Sequence, residues 1–408
     1  MPRDRVAALL PLVGGLSLTQ VIGWGTSFSM IAVLGTPIGV SLGLPREAIF
    51  AGITVMLLVS AALSPICGRI IDRDGPRRLM PLGSLIAAVA LAMMAASGGV
   101  VTFWLSWALF GISLPMALTN AAVPAIVQSA GRHARRAVTA LTIFGGLTSL
   151  LFLPLTAWLE ARYGWRATIL AYAGLQALIA LPIHLAVLPR SPPLREKTAP
   201  TADAPWDGIL PAAGRDKAFA LIVTWSCLEG LIVWGFNMQA IDILQGLGLS
   251  SQAAIAVWML AAPSQASARV GEFLMAGRHP IMATALLSAA LAPIGFTLLV
   301  IAGTSVFAAS LMAICYGAGH GLFAVARNLL PLRLFGLKEF GTVMGRLMVP
   351  QNIANGLAPI LLAGLLSRVS AGAALAFTLV CALASFGAVY ALSREVRRAE
   401  ATTAAATI

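Results

Sequence analysis

The side chains best placed to do chemistry are the few ionisable ones inside long apolar stretches: Glu229, Arg346, His184 and His320. A charge in hydrocarbon costs roughly 3 kcal/mol or more, so each of these needs a partner, a water-filled cavity or a neutral state. Glu229 lies eleven residues into an apolar stretch that begins near residue 218. At helical rise that is about 17 Å, close to the middle of a bilayer. A desolvated carboxyl at such a depth can take up and release a proton. The plainer reading is a protonated acid hydrogen-bonded across helices.

A second set of charges lies between apolar stretches. The word Arg69-Ile70-Ile71-Asp72 returns two hundred residues later as Arg269-Val270-Gly271-Glu272. The first copy sits in Gly68-Arg69-Ile70-Ile71-Asp72-Arg73-Asp74-Gly75-Pro76-Arg77-Arg78, which by itself reads as a solvated turn flanked by positive charge. Its recurrence suggests two related halves, as does the match of Asn120-Ala121-Ala122-Val123-Pro124 with Asn328-Leu329-Leu330-Pro331.

The elements that must position these groups are membrane helices. With 59% hydrophobic and 10% charged residues, lipid has to be the solvent for most of the apolar surface. Ten charge-free stretches approach spanning length, and two more, about 218–241 and 342–366, carry only Glu229 and Arg346. The expectation is an all-α membrane protein of about twelve spans: a six-helix bundle over 1–188, a Pro- and charge-rich cytoplasmic linker over 189–217, and a second bundle with a cytoplasmic tail over 218–408. Lysine and arginine concentrate on one side if both termini are cytoplasmic, so the net charge of +12 is a topology signal and no nucleic-acid partner is expected. The N-terminal apolar run shows no convincing cleavage site and reads as a retained first helix. Cys67, Cys227, Cys315 and Cys381 fall on four different spans and read as reduced apolar thiols, with three thiolates gathered around a soft ion as the alternative.

The Gly68–Arg78 passage after the second span, with its degenerate copy after the eighth, resembles the loop signature of the major facilitator superfamily. The resemblance implies two pseudo-symmetric six-helix bundles that rock around a central cavity to alternate access. It assigns gating to Gly68, Arg69, Asp72, Arg73, Gly75, Arg77 and Arg78 and their echo Arg269 and Glu272, with Asp72 facing the start of the eleventh helix. It also places the first, fourth, seventh and tenth helices along the cavity, which nominates Gln20, Trp24, Asn120, Trp234, Asn237, Tyr316 and His320. A Trp or Asn on a membrane helix is otherwise an interfacial anchor or an interhelical bond. Arg327 and Arg346 either snorkel to headgroups or form a cytoplasmic gate.

Trp107 stands where drug/proton antiporters of the superfamily carry arginine, and Leu153-Pro154-Leu155 where they carry Gly-Pro. Monocarboxylate carriers are matched only in part. Trp24-Gly25, Gly164-Trp165-Arg166 and the passage from Arg327 through Pro331-Leu332 to Phe335-Gly336 resemble a bacterial group with some members associated with export of metalloids or other toxic compounds.

The expectation is therefore a monomeric bacterial inner-membrane secondary transporter, proton-coupled through Glu229, with export of a small organic or metalloid compound favoured over organic-anion uptake. No cofactor or metal is expected, since neither a GxxxxGK[ST] loop nor HExxH occurs. A transporter-like sensor, or a membrane enzyme using His320 with Glu229, is the alternative from another class. The chain lacks a convergent nucleophile, base and orienter, which argues against catalysis.

Overall fold

A computed structural model describes residues 3–189, 207–303 and 305–406. Most of the expected linker, 190–206, lies outside the described residues. Two compact units emerge, one within Met1–Thr201 and Leu337–Val349, the other within Ala202–Gly336 and Pro350–Ile408.

The first unit contains α1 (Arg3–Trp24), α2 (Met30–Leu42), α3 (Arg46–Asp74), α4 (Pro76–Ala95), α5 (Val100–Ala117), α6 (Thr119–Ala130), α7 (Ala134–Gly146), α8 (Thr148–Leu175) and α9 (Leu181–Val187). Short π-helical segments, Gly25–Ser29 and Gln176–Ala180, join α1 to α2 and α8 to α9. Its core packs Trp107, Phe103, Phe110, Met30, Leu34 and Tyr172. The second unit contains α10 (Ala212–Gly230), α11 (Asn237–Gly246), α12 (Ser251–Trp258), α13 (Ala261–Met275), α14 (Ile281–Ile301) and α15 (Val306–Phe335), then most of α16 (Phe340–Arg368) and α17 (Ala371–Ala406). A π-helical segment, Leu231–Phe236, joins α10 to α11, and the core gathers around Phe236, Phe296, Met312 and Tyr316.

Ten helical runs among the described residues are long and apolar enough to cross a membrane. One of them, Ala134–Val187, makes two passes, because Gly164 at φ 76° and ψ 166° breaks α8 in a conformation that a side chain would disfavour. The twelfth passage is α12 with α13, interrupted at Met259 and Leu260. Leu10, Val40, Leu150, Leu178, Ile301 and Phe307 are each more than two thirds exposed. Apolar surface of this kind needs hydrocarbon around it, and helices satisfy their own backbone groups there. The protein is a multi-pass all-α membrane protein.

The charged word read as a loop is largely helical. Gly68 to Asp74 are the last two turns of α3, only Gly75 is a turn, and Arg77 and Arg78 already belong to α4. Gly75 takes φ 82°, which ends α3, and Pro76 starts α4 at once. The echo behaves alike: Arg269 and Glu272 lie within α13 and are buried.

Candidate functional site

Glu229 is 4% exposed and sits in the last turn of α10, seventeen residues from either end of the run Ala212–Gly246. Ser385 Oγ on α17 donates to its Oε1 at 2.7 Å. No ion pair reaches it among the described residues. The π-helical segment follows directly, and π-bulges shift the register of the side chains beyond them.

Tyr316 and His320 occupy one face of α15, a turn apart, with ring centroids 6.5 Å from each other. Tyr316 lies within electrostatic reach of Glu229, and His320 within that of Arg269. Phe236, Trp258 and Phe296 surround the tyrosine at 5.8, 5.1 and 6.4 Å. Tyr316 Oη and His320 Nδ1 are buried without a hydrogen-bond partner among the described residues, as are Trp225 Nε1 and Ser226 Oγ in the turn before Glu229. Trp234 lies in the π-helical segment. With the Asn355 amide turned so that its nitrogen donates to Gln351 O, its oxygen accepts from Trp234 Nε1 at 3.2 Å. Gly230 makes room for this amide, since a Cβ there would meet Asn355 Oδ1. Asn237 is exposed at the start of α11.

Arg327 does not snorkel. Its Nε donates to Gln351 Oε1 at 2.9 Å and its Nη1 to Asn328 Oδ1 at 3.3 Å, inside the helix packing. Arg346 is exposed on the first turns of α16.

In the first unit Gln20 and His184 are engaged. Gln20 Nε2 donates to Ala117 O at 3.1 Å, and Thr119 Oγ1 donates to Gln20 Oε1 at 3.1 Å. Gln20 thereby ties α1 to the break between α5 and α6. Trp24 stacks on Phe28 at 5.0 Å, and Asn120 is half-buried on α6. His184 joins Ser84 through Nδ1 at 2.9 Å and Thr19 through Nε2 at 3.0 Å. Thr19 gives its proton to Leu16 O, so it accepts from Nε2–H, and Nδ1 accepts from Ser84. A cavity of about 10 Å³ beside them has room for one water.

Asp72 accepts from Gly341 N at 2.8 Å, Thr342 N at 2.7 Å and Thr342 Oγ1 at 2.8 Å. It caps the start of α16, whose first amides have no partner within their own helix and carry the positive end of the dipole. The backbones touch here: a Cβ on Gly68 would stand 2.2 Å from Gly341 O, and one on Gly345 2.3 Å from Ser64 O. Glu272 has different company, accepting from Thr284 Oγ1 at 3.1 Å and lying 3.2 Å from His279 Nε2.

The sequence model of the Major Facilitator Superfamily matches residues 16–359. The chain belongs to this superfamily. No curated protein sequence matches it significantly. Solved structures give the same fold at low identity. The human organic anion transporter MFSD10 superposes with a TM-score of 0.70 at 16% identity, over 95% of this chain and 100% of that one. The proton:xylose symporter XylE gives 0.73 at 13%, over 94% and 95%. The superfamily transporter FucP in its outward conformation gives 0.70 at 12%, over 94% and 99%.

Membership makes this facilitator a transporter and removes the membrane-enzyme alternative. Several groups in its sites carry no motif in the sequence: Ser385, Gln351, Asn355, and the partners of His184, Ser84 and Thr19. Gln351 and Asn355 had a signal, two amides one turn apart inside an apolar span. Ser385 had none, because a lone serine in a membrane helix usually bonds its own backbone.

Proposed function

We propose that this chain is a proton-coupled secondary carrier of a small solute that works by alternating access, with Glu229 as the proton-exchanging group. The observation that carries this is the Glu229 environment: a buried carboxyl in mid-span that, among the described residues, has one hydroxyl donor and no ion pair, with polar atoms of Tyr316 and Ser226 likewise unpartnered. A carboxyl so placed exchanges a proton rather than holding a fixed ion pair. XylE, of the same fold, is a proton:xylose symporter, which supports this form of coupling. The Asp72 cap on α16 is a contact made and broken during the cycle.

Export of a small organic or metalloid compound remains our preferred direction. Organic-anion uptake is the second reading, favoured by the half-buried Arg327 guanidinium and by the likeness to MFSD10. We place the carrier in a bacterial inner membrane with both termini cytoplasmic, as two bundles over 1–188 and 218–408 joined by 189–217.

A growth screen of a deletion strain across toxic compounds and carbon sources identifies the solute. In proteoliposomes carrying a pH-sensitive dye, adding that solute moves protons with the wild type and not with Glu229→Gln, which keeps shape and hydrogen bonding but cannot cycle a proton. Full gradient-driven transport by the variant, with unchanged pH dependence, would make Glu229 structural.

A further inference from the structure

The geometry points to a second binding site: the hollow between the end of α3 and the start of α16 takes a phosphate-bearing anion through Arg69, Lys338 and Arg346. The hollow has a volume of about 450 Å³, within the size range of small-molecule sites. Arg69, Arg73, Lys338 and Arg346 line it together with two carboxylates, Asp72 and Glu339, leaving a net charge of +2.

The two carboxylates cannot serve these cations well. Asp72 already accepts three hydrogen bonds from Gly341 and Thr342, so its charge is directed to the helix start. Glu339 forms no ion pair among the described residues, and Arg73 leans away toward Asp74 at 3.8 Å. Arg69, Lys338 and Arg346 are exposed and have no hydrogen-bond or ion-pair partner among the described residues. Three like charges around one space repel each other unless an anion joins them.

A single carboxylate is satisfied by one bidentate arginine, whereas a phosphate offers three oxygens to donors arriving from several directions. The cations here come from two helix ends and the turn before α16. The space exceeds one phosphate, so the fitting ligand is a phosphate ester or a diphosphate. Bound there, it would join α3 to the start of α16 alongside the Asp72 cap and strengthen that contact. The ligand is thus a regulator, and the inference does not depend on Glu229 or on the transported solute.

The chemistry could be supplied by a soluble phosphorylated compound or by a phospholipid headgroup, and two arms separate them. In the first, inorganic pyrophosphate is titrated into the full chain in neutral detergent. We expect saturable binding that raises Tm and weakens at least about tenfold in Arg69→Gln/Arg346→Gln, the loss of one or more charge-assisted contacts. Lys338→Gln should weaken it by a smaller factor. Arg278→Gln/Arg394→Gln removes the same charge from exposed positions elsewhere and should bind like the wild type. In the second arm, phosphatidylglycerol is compared with phosphatidylcholine in nanodiscs. Stabilisation by phosphatidylglycerol that vanishes in Arg69→Gln/Arg346→Gln, without pyrophosphate binding, assigns the site to a headgroup. If neither probe separates wild type from that variant, or if the Arg278/Arg394 control loses as much, the site does not exist.

Discussion

In the first unit His184, Ser84, Thr19, Gln20 and Thr119 direct their hydrogen bonds to one another and to backbone carbonyls. In the second, Tyr316 Oη, His320 Nδ1, Ser226 Oγ and Trp225 Nε1 lie buried on α10 and α15 with no partner among the described residues. The first unit has orphans too, but Ser17, Trp107, Gln128 and Thr148 are scattered over α1, α5, α6 and α8. A closed network rigidifies the helices that carry it. An unmade hydrogen bond costs about 1–3 kcal/mol, so buried polar atoms left without a partner on the helix of a buried carboxyl and on α15 call for an explanation, and the proposed function gives one: solute or water supplies the partner. On that proposal, one unit holds its polar groups for stability and the other for exchange.

The sharpest way to break this contrast is His184→Ala. It strips Ser84 and Thr19 of their partner and enlarges the small cavity, so we expect a loss of about 2–4 kcal/mol in thermal or denaturant unfolding, with transport per folded molecule retained. Normal stability with lost transport would move the functional centre into the first unit. Asp72→Asn comes next. The amide keeps one acceptor but loses the charge facing two backbone amides and a hydroxyl, which should weaken the cap by about 1–2 kcal/mol and slow transport. Gly68→Ala should act similarly, because its Cβ collides with Gly341 O. Both are read as initial rates together with thiol-reagent labelling of Asn120→Cys, which should become faster from the cytoplasmic side. Unchanged rate and labelling would reduce the cap to a static joint.

Tyr316→Phe should have the smallest effect on folding. Its hydroxyl has no partner to lose among the described residues, so stability should stay within about 0.5 kcal/mol of wild type while the rate or the solute preference changes. A variant that is strongly destabilised would show that the Tyr316 hydroxyl serves the core packing and is not held for a solute.

Much of the architecture was legible in the chain because hydrocarbon imposes a simple rule: spans must be long, apolar and helical. Glu229 stood out by the same rule, as a charge where charge is expensive. The charged word was recognisable as a motif, but its conformation was not. Only Gly75 forms the turn, because a glycine–proline step reverses the chain in a single residue and lets α3 carry Arg69, Asp72 and Arg73 as helix. The hydrogen-bond partner of Arg327 was not legible for a related reason. Distance from a span end suggests snorkelling, yet Gln351 on another helix offers a nearer acceptor than water does.

The sequence by itself determined the solvent, the number of passes and the internal repetition, since these follow from composition and periodicity along one dimension. The partners were decided by tertiary structure alone. Ser385 meets Glu229 across 156 residues, Thr342 meets Asp72 across 270, and His184 meets Thr19 across 165. Hydrogen bonds are short and directional, so which buried group is satisfied and which is left for a ligand depends on helix rotation and register, and a hydropathy pattern leaves both free.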